Sequence, residues 1–126
     1  MGITCIAFMV KGTEPVTVED VVSHFDHVRD LVGIEHVGIG SDGSIQAVKL
    51  TPEQQKAFDE DIARRKQLGI GAPGEDRYPY VPDLNGPDHM EVIAAELQKR
   101  GQPSAVIEKV LGANFQRVIG EIWGTA

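Results

Sequence analysis

The chain reads as an α/β fold built on parallel strands, and three observations carry that reading. Ile3 to Val10 is nearly continuous in apolarity, the pattern of a strand covered on both faces. Val18, Val21, Val22, Phe25, Val28 and Val32 then recur at helical spacing. A second β-branched run, Val37 and Ile39, closes on Asp42. Strand, helix and strand within about forty residues is the size of a βαβ unit, and its crossover is expected to be right-handed.

The elements follow in order. Gly2–Val10 is the first expected strand, with a loop at Lys11–Pro15. Thr17 supplies an N-cap oxygen, and Asp20 three residues on completes a short-armed capping box. Gly33 suits the residue just past that helix. The second strand is expected within Glu35–Ser41, where Gly38 and Gly40 let other backbone approach closely. A further helix starts with Thr51 as N-cap, Pro52 at the first helical position and Gln54 at the third, and runs to Gly69. Its apolar positions are sparse (Ala57, Phe58, Ile62, Leu68), so an exposed insertion packing one narrow stripe is expected. Gly71–Pro87 is a Gly/Pro-rich loop in which Asn85 is placed to cap the helix that follows.

Asp88–Arg100 is expected to be helical, with Met90, Ile93, Ala94 and Leu97 on one face and Gly101 as terminator. Pro103–Leu111 and Ala113–Trp123 are two more helices, interrupted at Gly112, with Asn114 as a hydrogen bonder at their joint. The chain thus divides into a βαβ unit at 1–44, an insertion helix and loop at 45–87, and C-terminal helices at 88–126, all in one partial domain.

Composition bounds the function. At 126 residues, 41% hydrophobic and 25% charged, the chain is long enough for one domain and one core. A formal net charge of −7 with dispersed basic residues argues against nucleic acid as a partner. Arg64, Arg65 and Lys66 form one basic run inside a helix that also carries Glu53, Asp59, Glu60 and Asp61, which is a solvated face. Cys5 is the one cysteine, so no intrachain disulfide and no thiolate metal cluster is possible. No apolar stretch reaches membrane-spanning length, and Ile3–Val10 lacks the flanks of a signal peptide. As written, the chain is expected to stay in the cytoplasm where it is made.

Strand count is the awkward quantity. Two parallel strands do not make a stable sheet by themselves, and this chain offers strand material for a quarter of an eight-stranded barrel. Its apolar first strand leaves an edge open. The simplest resolution is that it is the end of a larger domain or pairs with another chain. Asp42, where the second strand stops and flexible Gly43 and Ser44 begin, is a candidate catalytic group, because α/β barrels carry function at the C-terminal strand ends. The plainer reading is a turn-starting Asp that caps backbone N–H groups.

The stretch from Thr17 to Asp42 resembles the last barrel helix and strand of membrane (renal-type) dipeptidases. Asp83-Leu-Asn-Gly-Pro-Asp-His-Met90, Ala94-Ala-Glu-Leu-Gln-Lys-Arg-Gly101 and Ile107-Glu-Lys-Val-Leu-Gly-Ala-Asn-Phe-Gln-Arg-Val118 are similar to the closing helices of that family. The resemblance implies that the chain is the C-terminal fragment of a (β/α)8 TIM-type barrel: its last two parallel strands, their helices and the closing helices. It implies a zinc-dependent hydrolase of dipeptides with two bridged zinc ions, held by histidines, an aspartate and a glutamate on strands that precede this segment. None is expected bound by this chain alone, which is therefore expected to be inactive by itself. One catalytic position carries over, Asp42, as the proton carrier between metal-activated water and the leaving amine. The family often follows this aspartate with Phe-Asp-Gly, whereas Gly43-Ser-Ile stands here. Gln46–Pro82 resembles the longer bacterial variants.

Other candidates weigh less. Tyr78 and Tyr80, with Arg77, either line a substrate mouth or anchor the loop with rings buried and hydroxyls wet. Asp20, His24 and His27 share a helix sector of about 60°, the geometry of a divalent-metal face. Valines and Phe25 define the core side of that helix, so an exposed polar face is the stronger reading. His36 and His89 read as surface or capping groups. The alternative function is a non-catalytic assembly module, in which the open strand edge and apolar helix faces drive homo-oligomerisation or docking to the missing barrel portion.

Overall fold

The computed structural model describes residues 1–10, 15–44 and 46–124. Within them the chain is helix-rich around a small parallel sheet. Strands β1 (Gly2–Ile3) and β2 (Gly38–Ile39) pair in parallel, Gly2 opposite Gly38 and Ile3 opposite Ile39. The ladder extends past both strands. Gly38 N donates to Met1 O at 2.8 Å, Gly40 N to Ile3 O at 3.0 Å, and Cys5 N to Ser41 O at 3.2 Å. Helix α2 (Val18–Val32) makes the crossover, with the Thr17–Asp20 capping box formed in both directions. Gly33 ends it at φ 86°, a left-handed conformation that favours glycine.

Two strand expectations are corrected. Gly2–Val10 does not run as one strand. Past Ile3 the Thr4 hydroxyl accepts from Ile6 N at 3.3 Å, Ile6 bridges Tyr80 in the antiparallel sense, and Ala7–Val10 closes a single helical turn, α1. The physical reason is lack of partners. β1 has one neighbour, and that neighbour is short, so the apolar run satisfies its backbone groups locally and through the Pro79–Tyr80 loop, where Ala7 N donates to Pro79 O at 2.7 Å. The second strand is likewise shorter than Glu35–Ser41, because Ile34–His36 forms a 3₁₀ turn. Residues 11–14 of the expected Lys11–Pro15 loop lie outside the described residues.

Helix α3 (Pro52–Gln67) carries its own Thr51–Gln54 capping box and buries one side chain, Ile62. Arg65 and Lys66 tie its end to Glu75 and Asp76 of the following loop. Helix α4 (His89–Lys99) starts one residue later than expected, and Asp88 makes no side-chain cap. Helix α5 (Ser104–Glu108) passes through a π-wound turn at Lys109–Ala113, kinked at Gly112, into α6 (Asn114–Trp123).

The core lies where the sheet meets α2 and α4. Ile3, Val37 and Ile39 come from the strands, Val21, Val22 and Phe25 from α2, Ile93 and Leu97 from α4, and Val81, Leu84 and Val110 close it. A polar lattice locks α4 to α2 beside this core. Arg100 donates to Asp26 at 2.8 Å, to Glu96 at 2.9 Å and to the Glu19 carbonyl at 2.6 Å, while Lys99 bridges Glu19 and Glu96. Burial pushes the Glu96 carboxyl up, but the hydrogen bonds and charges of Arg100 and Lys99 outweigh it and hold it below the ordinary carboxylate range.

A carboxyl whose folded pKa is lowered contributes stability above its unfolded value, about 4.3, and loses it as pH falls through the folded value. Acidification from pH 7 to pH 3 is therefore expected to lower the thermal midpoint more in the native chain than in Glu96→Gln. Parallel midpoint curves for the two would rule this coupling out.

Candidate functional site

The carboxyl ends of the two strands carry Asp42, with Tyr80 at the same end. β2 leaves the sheet at Gly40, and the Ser41 carbonyl is still held by Cys5 N. Asp42 then adopts φ 52°, the one described non-glycine residue in the left-handed region. Short polar side chains tolerate that conformation better than branched ones. Its carboxylate is exposed. The turn beyond it is held by serines: Ser41 Oγ accepts from Gly43 N at 3.4 Å and Ser44 Oγ from Gln46 N at 3.2 Å. Among the described residues nothing hydrogen-bonds the Asp42 carboxylate, so the capping expected of a turn-starting aspartate falls to its neighbours.

Tyr80 stands at the same end through its bridge to Ile6. Its ring meets that of Tyr78 edge-on, centroids 5.6 Å apart. Tyr78 is committed elsewhere, since its hydroxyl donates to the Val48 carbonyl. Asn85 joins it there. Its amide donates to Val48 O at 2.9 Å and its Oδ1 accepts from Val48 N at 2.8 Å, copying a backbone ladder pair. Asn85 therefore does not cap α4. A 3₁₀ turn at Pro82–Leu84 precedes it and Gly86–Pro87 separates it from the helix.

This clamp holds the segment downstream of Asp42, and no sequence signal announces a side chain pairing with backbone 37 residues away. Asn85→Ala leaves the half-buried Val48 amide without its partner and the Val48 carbonyl with the Tyr78 hydroxyl alone, and is expected to cost about 1–3 kcal/mol. Faster hydrogen exchange at the Val48 amide is the measurement.

The remaining candidates have local duties. His24 Nε2–H donates to the Val10 carbonyl at 2.6 Å, which fixes its tautomer, because a carbonyl only accepts. Asp20 is engaged in the Thr17 capping box, and His27 is exposed. His89 bonds the Gly86 carbonyl one turn back. Among the described residues no three His, Cys, Asp or Glu side chains come together as a metal site. Cys5 is buried, and desolvation pushes its thiol up to about 11, which makes it an inert apolar group. No helix among the described residues is long and apolar enough to cross a membrane.

A hollow of about 140 Å³ lies at the opposite, amino end of the strands, between Met1, Val37, Gly38, Asn114, Phe115 and Val118. It is largely apolar, and Asp42 is not among the residues that line it. Asn114 borders it, buried, with its amide donating to the carbonyls of Ile34 at 2.6 Å and Val37 at 2.8 Å.

Residues 1–63 match the family model for membrane dipeptidases, peptidase family M19. The chain is 32% identical over 123 residues to dipeptidase verJ of Clonostachys rogersoniana, covering 96% of this chain and 24% of that protein. It is 31% identical over 125 residues to dipeptidase tcpJ of Claviceps purpurea, covering 96% and 22%. The chain thus spans about a quarter of the length of these curated relatives. No solved structure matches it significantly.

Proposed function

The chain belongs to the membrane dipeptidase family, and from that premise we propose that it is the C-terminal part of a (β/α)8-barrel hydrolase that cleaves dipeptides. The observation that supports this most is the parallel strand pair whose carboxyl end delivers Asp42, unpaired and exposed, within the matched region. In an α/β barrel that end is the reaction face. We assign Asp42 the role of carrying a proton to the leaving amine. Tyr80 forms part of the substrate wall beside it, and Tyr78 orders the segment that follows Asp42 by holding Val48.

Two zinc ions are implied by the family resemblance. The described residues do not fit them, because no set of ligating side chains converges anywhere in this part of the chain. As the family resemblance implies, we place the zinc ligands in the complementary barrel portion, with this chain contributing the carboxylate and a section of wall. A second reading, an assembly module without catalysis of its own, draws support from the apolar stripe left bare on α6.

The test has two arms. The purified chain with zinc and a dipeptide panel is expected to show no turnover. The chain assembled with the part of the Clonostachys rogersoniana dipeptidase to which it has no counterpart is expected to hydrolyse dipeptides. Turnover by the chain alone, abolished in Asp42→Asn, would overturn the partition of roles. An assembled but inactive complex leaves only the assembly module standing.

A further inference from the structure

We propose that the apolar stripe of α6 is the surface on which the complementary barrel portion docks, by the amino-terminal ends of its strands. The first turn of α6 is bound to the amino ends of this chain's own strands. Asn114 holds the Ile34 and Val37 carbonyls and Arg117 donates to the Glu35 carbonyl at 2.9 Å. The Phe115 ring covers Gly38 so closely that a Cβ there would lie 2.4 Å from it, and a Cβ on Gly2 would lie 3.5 Å away. From this anchorage Phe115, Val118, Ile119, Ile122 and Trp123 continue along one helix face, with Ile122 71% and Trp123 80% exposed. Gln116, Arg117 and Glu121 occupy the other face, the last two as an ion pair.

Three facts select the occupant. The relatives carry about three quarters of their length with no counterpart here. β1 and β2 each have one strand neighbour, so both outer edges are open among the described residues. The stripe starts at the level of the strand beginnings, so a body that adds strands to those edges brings its own strand beginnings alongside α6. The apolar hollow beside Phe115 and Val118 is continuous with that surface and takes a side chain from the incoming body. A second copy is disfavoured, because each chain carries a net −7.

The inference rests on the barrel-fragment reading above, and the experiment separates the two. The chain, labelled with fluorotryptophan, gives one fluorine signal, because Trp123 is its one tryptophan. The probe is the part of the Clonostachys rogersoniana dipeptidase that this chain lacks. Docking is expected to shift the Trp123 signal. Ile122→Asp is expected to weaken binding by about 30-fold or more, with unchanged helical circular dichroism, since Ile122 is exposed in the free chain. Leu68→Asp, at an exposed site beyond α3, is expected to bind as the native chain does.

Binding with an unmoved Trp123 signal and an unaffected Ile122→Asp variant overturns the inference, and dipeptide turnover in that complex would leave the function reading intact. Docking through α6 without turnover does the reverse. Absence of binding overturns the inference. So does a concentration-dependent Trp123 shift in the chain alone, which would assign the stripe to a second copy.

Discussion

Asp42→Asn, in the chain assembled with its complementary barrel portion, is expected to lower dipeptide turnover by a factor of about 100 to 10,000, the range for removing a positioned proton-transfer group. Asparagine keeps the size of the side chain and accepts the left-handed backbone at φ 52°, so the turn between Ser41 and Gly43 persists. What disappears is the capacity to take up and release a proton. Unfolding of the variant is expected to match that of the native chain, because no described residue bonds the Asp42 carboxylate. Steady-state kinetics of the two assemblies, with binding measured separately, decide the matter. A kcat within about threefold of the native value would remove Asp42 from the proposed proton transfer. An equal loss of binding and turnover would make it an assembly residue instead.

Phe25→Ala is expected to destabilise the chain by about 3–5 kcal/mol, the usual cost of emptying a buried aromatic site. Phe25 is 1% exposed at the centre of the α2 face, packed into the cluster shared by the sheet, α2 and α4. Arg29 also lies 5.6 Å from its ring centroid, so truncation removes a cation–π contact together with the buried surface. Against a typical domain stability of about 5–15 kcal/mol, that loss brings the variant to the edge of folding. Urea unfolding reads it as a lower midpoint at unchanged slope. Leu31→Ala on the same helix is the control. Leu31 is 69% exposed, so a change within about 0.5 kcal/mol is expected. Similar losses at both positions would mean that α2 does not bury the face described for it.

The helices and their ends were legible because their causes are local. Thr17 with Asp20 and Thr51 with Gln54 close their capping boxes within three residues, and Gly33 terminates α2 one residue past its end. The apolar stripe expected on α3 packs at one position: Ile62 is buried, while Ala57 and Leu68 are exposed. Asp42 could be singled out because a β-branched run stops there. Its left-handed backbone and unpaired carboxylate could not be, since they depend on Ser41 and Ser44 taking over the turn. Asn85 was misplaced for a related reason. Its side chain suits an N-cap or a pairing with extended backbone equally well, and the arrival of Val48 decides between them.

Short-range chemistry written in adjacent residues set the α/β class, the helix boundaries and the family pattern from Thr17 to Asp42. The extent of the sheet was decided by tertiary structure alone. A strand exists only where another backbone offers hydrogen bonds along its length, and apolar character cannot report whether that partner is there. Ile3–Val10 has the composition of a buried strand, yet past Ile3 it turns to Tyr80 and to its own helical turn. The same long-range condition leaves Ile122 and Trp123 bare on α6: a helix repeat specifies which side chains share a face, and only the neighbouring elements determine whether that face is covered.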